Sequence, residues 1–230
     1  MYYALIVDLI DSKKMDPPAR QQCQRRLKAA KDLVNDLFRA SDLSIEFSSG
    51  DSLQGFTADG ALALRAGLLL ACLAHPARLH CGIGRGELYV IDRLEGTNAS
   101  DGPAFHDAAR ALEQSKARPA DVVAHLGGDA EGLIAMLLDA AQALRLRNTE
   151  RQNWYAAALC ALELSGRDAG VIAHLGAQSE APGENPPKND AALLARIAGT
   201  SVQNVRQALR RSCAREIYGC YAACLDYLAR

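Results

Sequence analysis

Two acids in this chain stand where a run of strand-forming residues stops. Asp8 closes the apolar stretch Tyr3 to Val7, and Asp51 follows Gly50 in Ile45-Glu-Phe-Ser-Ser-Gly-Asp-Ser-Leu-Gln-Gly-Phe56, where two short apolar runs meet. Gly50 can take the positive φ of a tight turn, so the second stretch predicts a β-hairpin with the Asp51 carboxylate at its tip. If the first strand pairs with that hairpin, the two carboxylates and the Leu9 carbonyl form a set of hard oxygens suited to Mg2+ or Mn2+. Lys13 and Lys14, just downstream, and the Gly50 backbone are then positioned to meet the phosphates of a nucleotide. Two solvated turn aspartates would use the same residues, and spacing alone does not separate the two readings.

The elements that must hold these groups follow from periodicity. Tyr2 to Ile10 predicts a strand, and Pro17-Pro18 opens a helix to about Arg39, with Leu27, Leu33, Val34 and Leu37 near helical spacing. After the hairpin, Ala58 to Ala74 predicts a second, well-buried helix closed by His75-Pro76. Leu79-His-Cys-Gly-Ile-Gly84 alternates as another strand, with Glu87 to Ile91 as its antiparallel continuation. The order is βαββαβ, a ferredoxin-like or palm arrangement with its crossover helices on one face of an antiparallel sheet. A glycine-containing loop, Gly96 to Gly102, leads to a helix from Pro103 to about Gln114, and Val122 to Leu126 supplies a last strand. The fold class to about residue 127 is therefore α+β.

Length and composition bound the rest. The 230 residues suffice for a sizeable core, and a net charge of −1 excludes a globally basic nucleic-acid coat while leaving room for a local basic face. The N-terminus has no cationic leader, and no apolar run approaches the roughly 18 residues of a membrane helix, so a cytoplasmic protein is expected. Seven scattered cysteines, an odd number, are expected as buried thiols rather than disulfides or a metal knuckle.

The ordered motifs of the first half resemble the class III nucleotidyl cyclases and their GGDEF relatives, in which an Asp ends the first strand and a Gly-Asp sits at the hairpin. Asp8 and Asp51 match those positions, Cys81-Gly-Ile-Gly-Arg-Gly-Glu87 matches the strand that follows, and Gly102-Pro-Ala-Phe-His-Asp-Ala-Ala-Arg110 matches the helix start. Arg110 falls on the family's transition-state arginine. His106 stands at the transition-state Asn, Ser52 where many relatives have Glu, and Phe47 where adenylyl cyclases have a base-reading Lys. The chain is more closely similar to the SatD family, through Ser12-Lys13, Gly50-Asp-Ser-Leu-Gln-Gly55, Gly82-Ile-Gly-Arg-Gly-Glu87 and Gly102-Pro-Ala-Phe105. The cyclase resemblance implies a cation on Asp8 and Asp51, a nucleoside triphosphate, Arg85 or Arg110 against the transferred phosphoryl group, and a homodimer. Against these roles stand a structural His106 and an Arg110 paired on the helix surface with Asp107 or Glu113.

After about residue 127 the strand signal disappears, and residues 128–230 predict an all-helical domain. Helices are expected from Ala130 to about Leu146, from Glu150 to Leu164 behind Asn148-Thr149, and from Asp168 to Leu175, followed by a loop from Gly176 to Asn189. Trp154-Tyr155 is expected as a core anchor. The stretch 190–211 predicts a helix-turn-helix, with Gly199 in the turn, Ser201 as cap, and Val202, Val205 and Leu209 inward. Gln203, Asn204, Arg206, Gln207 and Arg210 then face outward and suit base edges and phosphates of DNA. Six arginines against Glu216 and Asp226 from Ala191 onward leave a local charge of +4, 6 minus 2. Two functions emerge: a metal-dependent nucleotide-binding or nucleotidyl-transfer domain coupled to a DNA-binding module, or a non-catalytic regulator or scaffold on a degenerate cyclase fold.

Overall fold

The computed structural model describes residues 1–89, 100–118, 120–129, 131–177 and 190–229. The sheet half runs β1 (Tyr2–Leu9), α1 (Pro17–Leu37), β2 (Ser44–Ser49), β3 (Ser52–Thr57), α2 (Gly60–Leu73), β4 (Leu79–Gly86), α3 (Pro103–Ala117) and β5 (Val122–Ala124). The strands form one mixed sheet in the order β2-β3-β1-β4-β5. β1 lies antiparallel between β3 and β4, with Asp8 opposite Ser52 on one side and His80 on the other. The βαββαβ order is present. β4, however, stops at Gly86, and Glu87 to Tyr89 are not strand; the rest of the continuation expected to Ile91, and most of the 96–102 loop, lie outside the described residues.

The crossover helices α1 and α2 share one face of the sheet as expected, and β5 and α3 add two features to that arrangement. β5 pairs with β4 in parallel, Cys81 opposite Val122. α1 and α2 pack on the face of Leu5, Val7, Ile45, Leu53 and Ile83, whereas α3 packs on the opposite face against Ala4 and Phe56. The glycines of β4 explain this second layer. A Cβ at Gly82, Gly84 or Gly86 would stand 2.2, 2.0 or 2.5 Å from backbone atoms of Ala108, Ala108 and Ala104, so only a strand without side chains on that face lets α3 lie so close.

The helical half follows as α4 (Glu131–Leu146), α5 (Glu150–Leu164), α6 (Ala169–Ala177), α7 (Asp190–Ile197), α8 (Val202–Arg211) and α9 (Ala214–Leu228). α5 begins with a capping box, Thr149 Oγ1 accepting from Gln152 N while Gln152 Oε1 accepts from Thr149 N. Only Ala61, Leu62 and Arg65 of α2 are not buried, because the sheet covers one side and α1, α5 and α9 cover the others; its apolar composition needs no polar face. One hydrophobic core runs from β1 through α2 to α9. Tyr155 is buried in it, and Trp154 meets Tyr155 edge to face at 5.0 Å.

Among the described residues the seven cysteines are free, and burial pushes the Cys81 thiol up to about 12, leaving it unreactive. No helix among them is long and apolar enough to cross a membrane. Of the loop expected from Gly176 to Asn189, residues 178–189 lie outside the described ones.

Candidate functional site

The hairpin forms as its glycine demands. Gly50 has φ +37° in the turn between β2 and β3, and the register sets Asp51 one residue from the partner of Asp8. The backbones of the two aspartates are neighbours, but their side chains are engaged on different helices. Asp8 alternates with Ala4 onto the α3 face and takes Lys116 Nζ from the end of α3 at 3.0 Å. Asp51 takes Arg20 from the first turn of α1 at 3.5 Å. Burial lowers the Lys116 ammonium's proton affinity, but hydrogen bonds and charge from Asp8 and Glu113 outweigh it and hold its pKa above the ordinary value.

Leu9 is buried with its side chain in the main core. Lys13 and Lys14 belong to the short 3-10 turn Ser12–Lys14 that follows β1; Lys14 is exposed and paired with Asp11 at 2.7 Å. Among the described residues no group of three or more His, Cys, Asp or Glu could hold a metal ion. A cation here would therefore rest on two carboxylates and complete its shell with water and phosphate oxygens, as Mg2+ commonly does. The two side chains are held by helices on opposite faces of the sheet, so a shared Mg2+ or Mn2+ would require Lys116 and Arg20 to let go and both carboxylates to turn toward each other. Both pairs are partly solvated, so each is worth at most about 1 kcal/mol.

Arg85, His106 and Arg110 lie at the other end of the sheet. Asp8 is opposite His80 in β4, and Arg85 is five residues further along that strand, about 17 Å away at the usual strand rise. There Asp107 gathers three elements. Its Oδ1 accepts from Arg110 at 2.6 Å and contacts His125 Nδ1 at 3.0 Å, while Oδ2 accepts from the Arg85 amide at 3.1 Å. Burial pushes the Asp107 carboxyl up, but the hydrogen bonds from His125, Arg110 and Arg85 outweigh it and hold it below the ordinary carboxylate range. Of the two partners expected for Arg110, Asp107 is the one it takes; Glu113 goes to Lys116. His106 is exposed, with Asp101 at 3.4 Å. An open cleft of about 320 Å³ lies beside this cluster, lined by Arg85, Asp107, His125 and Glu131.

Sequence reasoning missed Lys116, Arg20 and His125. They come from α3, α1 and the end of β5, and nothing in their local spacing ties them to the acids they meet.

The outward residues of α8 are where amphipathicity sets them. Val205 and Leu209 are buried, Val202 is half-buried, and Gln203, Asn204, Arg206, Gln207 and Arg210 are all exposed. α7 ends in a Schellman motif, Gly199 at φ +58° with its N–H on the Arg196 carbonyl and the Thr200 N–H on that of Ala195. Ser201 then caps α8, Oγ accepting from Asn204 N, and the Asn204 amide donates to Thr200 Oγ1. Gln203, Arg206, Gln207 and Arg210 remain as one stripe at helical spacing.

No protein-family model matches this chain, and no curated protein matches it. Among solved structures it is similar to a bacterial light-regulated adenylyl cyclase, at 14% identity and a TM-score of 0.41, over 53% of this chain and 73% of that one.

Proposed function

We propose that the sheet half binds a nucleotide with a divalent cation at the hairpin end of β1 and β3, and that a second copy, paired about a two-fold axis, supplies Arg110, Arg85 and His106. The observation that carries this is the separation of the candidate groups. Carboxylates sit at one end of the sheet and guanidinium groups about 17 Å away at the other, too far to act on one phosphoryl group within a chain. A two-fold pairing with sheets running in opposite directions brings one copy's Asp8 and Asp51 to the other's Arg110. The cation, when bound, supplies charge to the phosphate oxygens and acidifies an attacking hydroxyl. Lys13, Lys14 and the Gly50 backbone hold the phosphates, and Arg110 or Arg85 neutralises the phosphoryl group in flight. The cyclase-like motifs named in the sequence support the same assignment.

One observation favours a second reading. Asp8 and Asp51 are paired with cations of helices on opposite faces, and if those pairs persist with nucleotide present, the domain senses or scaffolds without turnover. Incubation with each nucleoside triphosphate and Mn2+, followed by mass spectrometry and by melting, separates the two. Product that disappears in Asp51→Ala supports the first, and a nucleotide-dependent melting shift without product supports the second. Product from a chain that light scattering shows to be monomeric sinks the shared site.

For the helical half, the exposed Arg206 and Arg210 beside Gln203 and Gln207 support a helix-turn-helix that reads duplex DNA. Arg206→Ala with Arg210→Ala should weaken duplex binding and flatten its dependence on salt; unchanged binding removes the assignment.

A further inference from the structure

Away from both regions, a cleft of about 360 Å³ opens where the sheet half meets α4 and α5. The turn from α2 into β4 contributes His75 and Arg78, the residue before β5 contributes Asp121, the end of α4 contributes Gln142 and Arg145, and α5 contributes Asn153. Its floor is polar and buried: His75, Asp121, Gln142 and Arg145 are each less than a tenth exposed, at 8%, 6%, 7% and 9%. Taking such groups from water is costly, and a buried cluster of charged side chains that borders a cleft marks a candidate binding site.

Within the cluster Asp121 is answered by more than one cation, while the Glu150 carboxylate lies exposed at the rim and Asp11 lies near Arg78. Arg145 holds Asp121 Oδ2 at 2.9 Å, and Gln142 Nε2 donates to Oδ1 at 3.2 Å, which answers the carboxylate without help. Arg78 shares the same Oδ1 at 3.2 Å with half of its side chain exposed. Two guanidinium groups thus face one buried carboxylate. An incoming oxyanion can take the outer edge of Arg78 in bidentate fashion while Asp121 stays with Arg145. The N-terminus of α5 favours negative charge on the same side, and the exposed Glu150 carboxylate at the rim opposes it.

We infer that this cleft binds a small molecule through an oxyanion, a phosphate ester or a carboxylate, with Arg78 as the principal contact and Arg145 as the fixed positive floor. Its volume lies at the small end of ligand sites. A molecule there would touch side chains that hold the last two helices, since Arg145 donates to Tyr221 of α9 and Asn148 Nδ2 donates to the Ser212 carbonyl at the end of α8, 2.9 Å away.

The test is calorimetry and thermal melting of the full chain with inorganic phosphate and with acetate, against sodium chloride at matched ionic strength. Saturable stabilisation is expected, the stronger of the two anions naming the headgroup. Affinity should fall about tenfold in Arg78→Ala, the loss of one charge-assisted contact. Arg78 is half exposed, and its removal leaves Asp121 paired, so that variant should fold. Equal stabilisation of Arg78→Ala and the parent chain, or a response no different from chloride, overturns the assignment. An effect lost in Lys13→Ala instead assigns the anion to the hairpin end and overturns it equally.

Discussion

α3 meets the sheet in two different ways. Along β4 it lies on Gly82, Gly84 and Gly86 with no space for a single methyl group, whereas at its far end Lys116 reaches Asp8 through a side chain that is about one third exposed (36%). The glycine pattern that resembles a cyclase motif is here a packing device, with backbone lying against backbone. The groups able to do chemistry sit where side chains have room to change partners. A glycine motif of this kind therefore reports first on the helix-on-strand seam, and activity has to be argued from the rim.

The sharpest way to break that contrast is Gly84→Ala. A Cβ 2.0 Å from the Ala108 nitrogen has nowhere to go, so a loss of about 4 kcal/mol, or failure to fold, is expected in urea denaturation. A loss below about 1 kcal/mol would mean that the seam yields as the rim does.

The buried junction at His75 comes next. Burial, with the nearby Arg145 and Arg26 charges, lowers this imidazole to about 4 from its ordinary 6.5, so between those two values the unfolded chain binds a proton that the folded chain does not. Stability from this group is complete above about pH 6.5, falls as pH drops towards 4, and then levels, a loss of about 3 kcal/mol in all. Chemical denaturation across that range should show the slope in the parent chain and a flatter one in His75→Gln; identical slopes would remove His75 as the cause.

At the rim, Lys116→Met should cost less than about 1 kcal/mol, since the Asp8 pair is partly solvated. It should also raise the apparent affinity for Mn2+ with nucleotide, measured by melting, because the ammonium no longer competes for Asp8. A large stability loss with no gain in cation response would make the rim as structural as the seam.

Much of the fold was legible because its signals are local. The hairpin follows from Gly50-Asp51 between two apolar runs, α5 from Thr149 ahead of Gln152, and the turn into α8 from Gly199 and Ser201. The strand expected from Glu87 to Ile91 failed in its described part because Glu87 is drawn to α3 instead, its carbonyl accepting from Ala104 N at 3.2 Å. The face on which α3 lies was not legible. Alternation shows that a glycine is present but not which helix presses on it.

The sequence by itself determined the order of elements, the turn that carries Asp51 and the outward stripe of α8, since each depends on backbone preference and periodicity over a few residues. Only the tertiary structure decided that Asp8 and Asp51 answer to Lys116 and Arg20, that Arg85 and Arg110 meet through Asp107 at the opposite end, and that Arg78, Asp121 and Arg145 share a cleft. Those pairings join residues tens of positions apart in most cases, and which charge finds which partner depends on how the helices stack on the sheet.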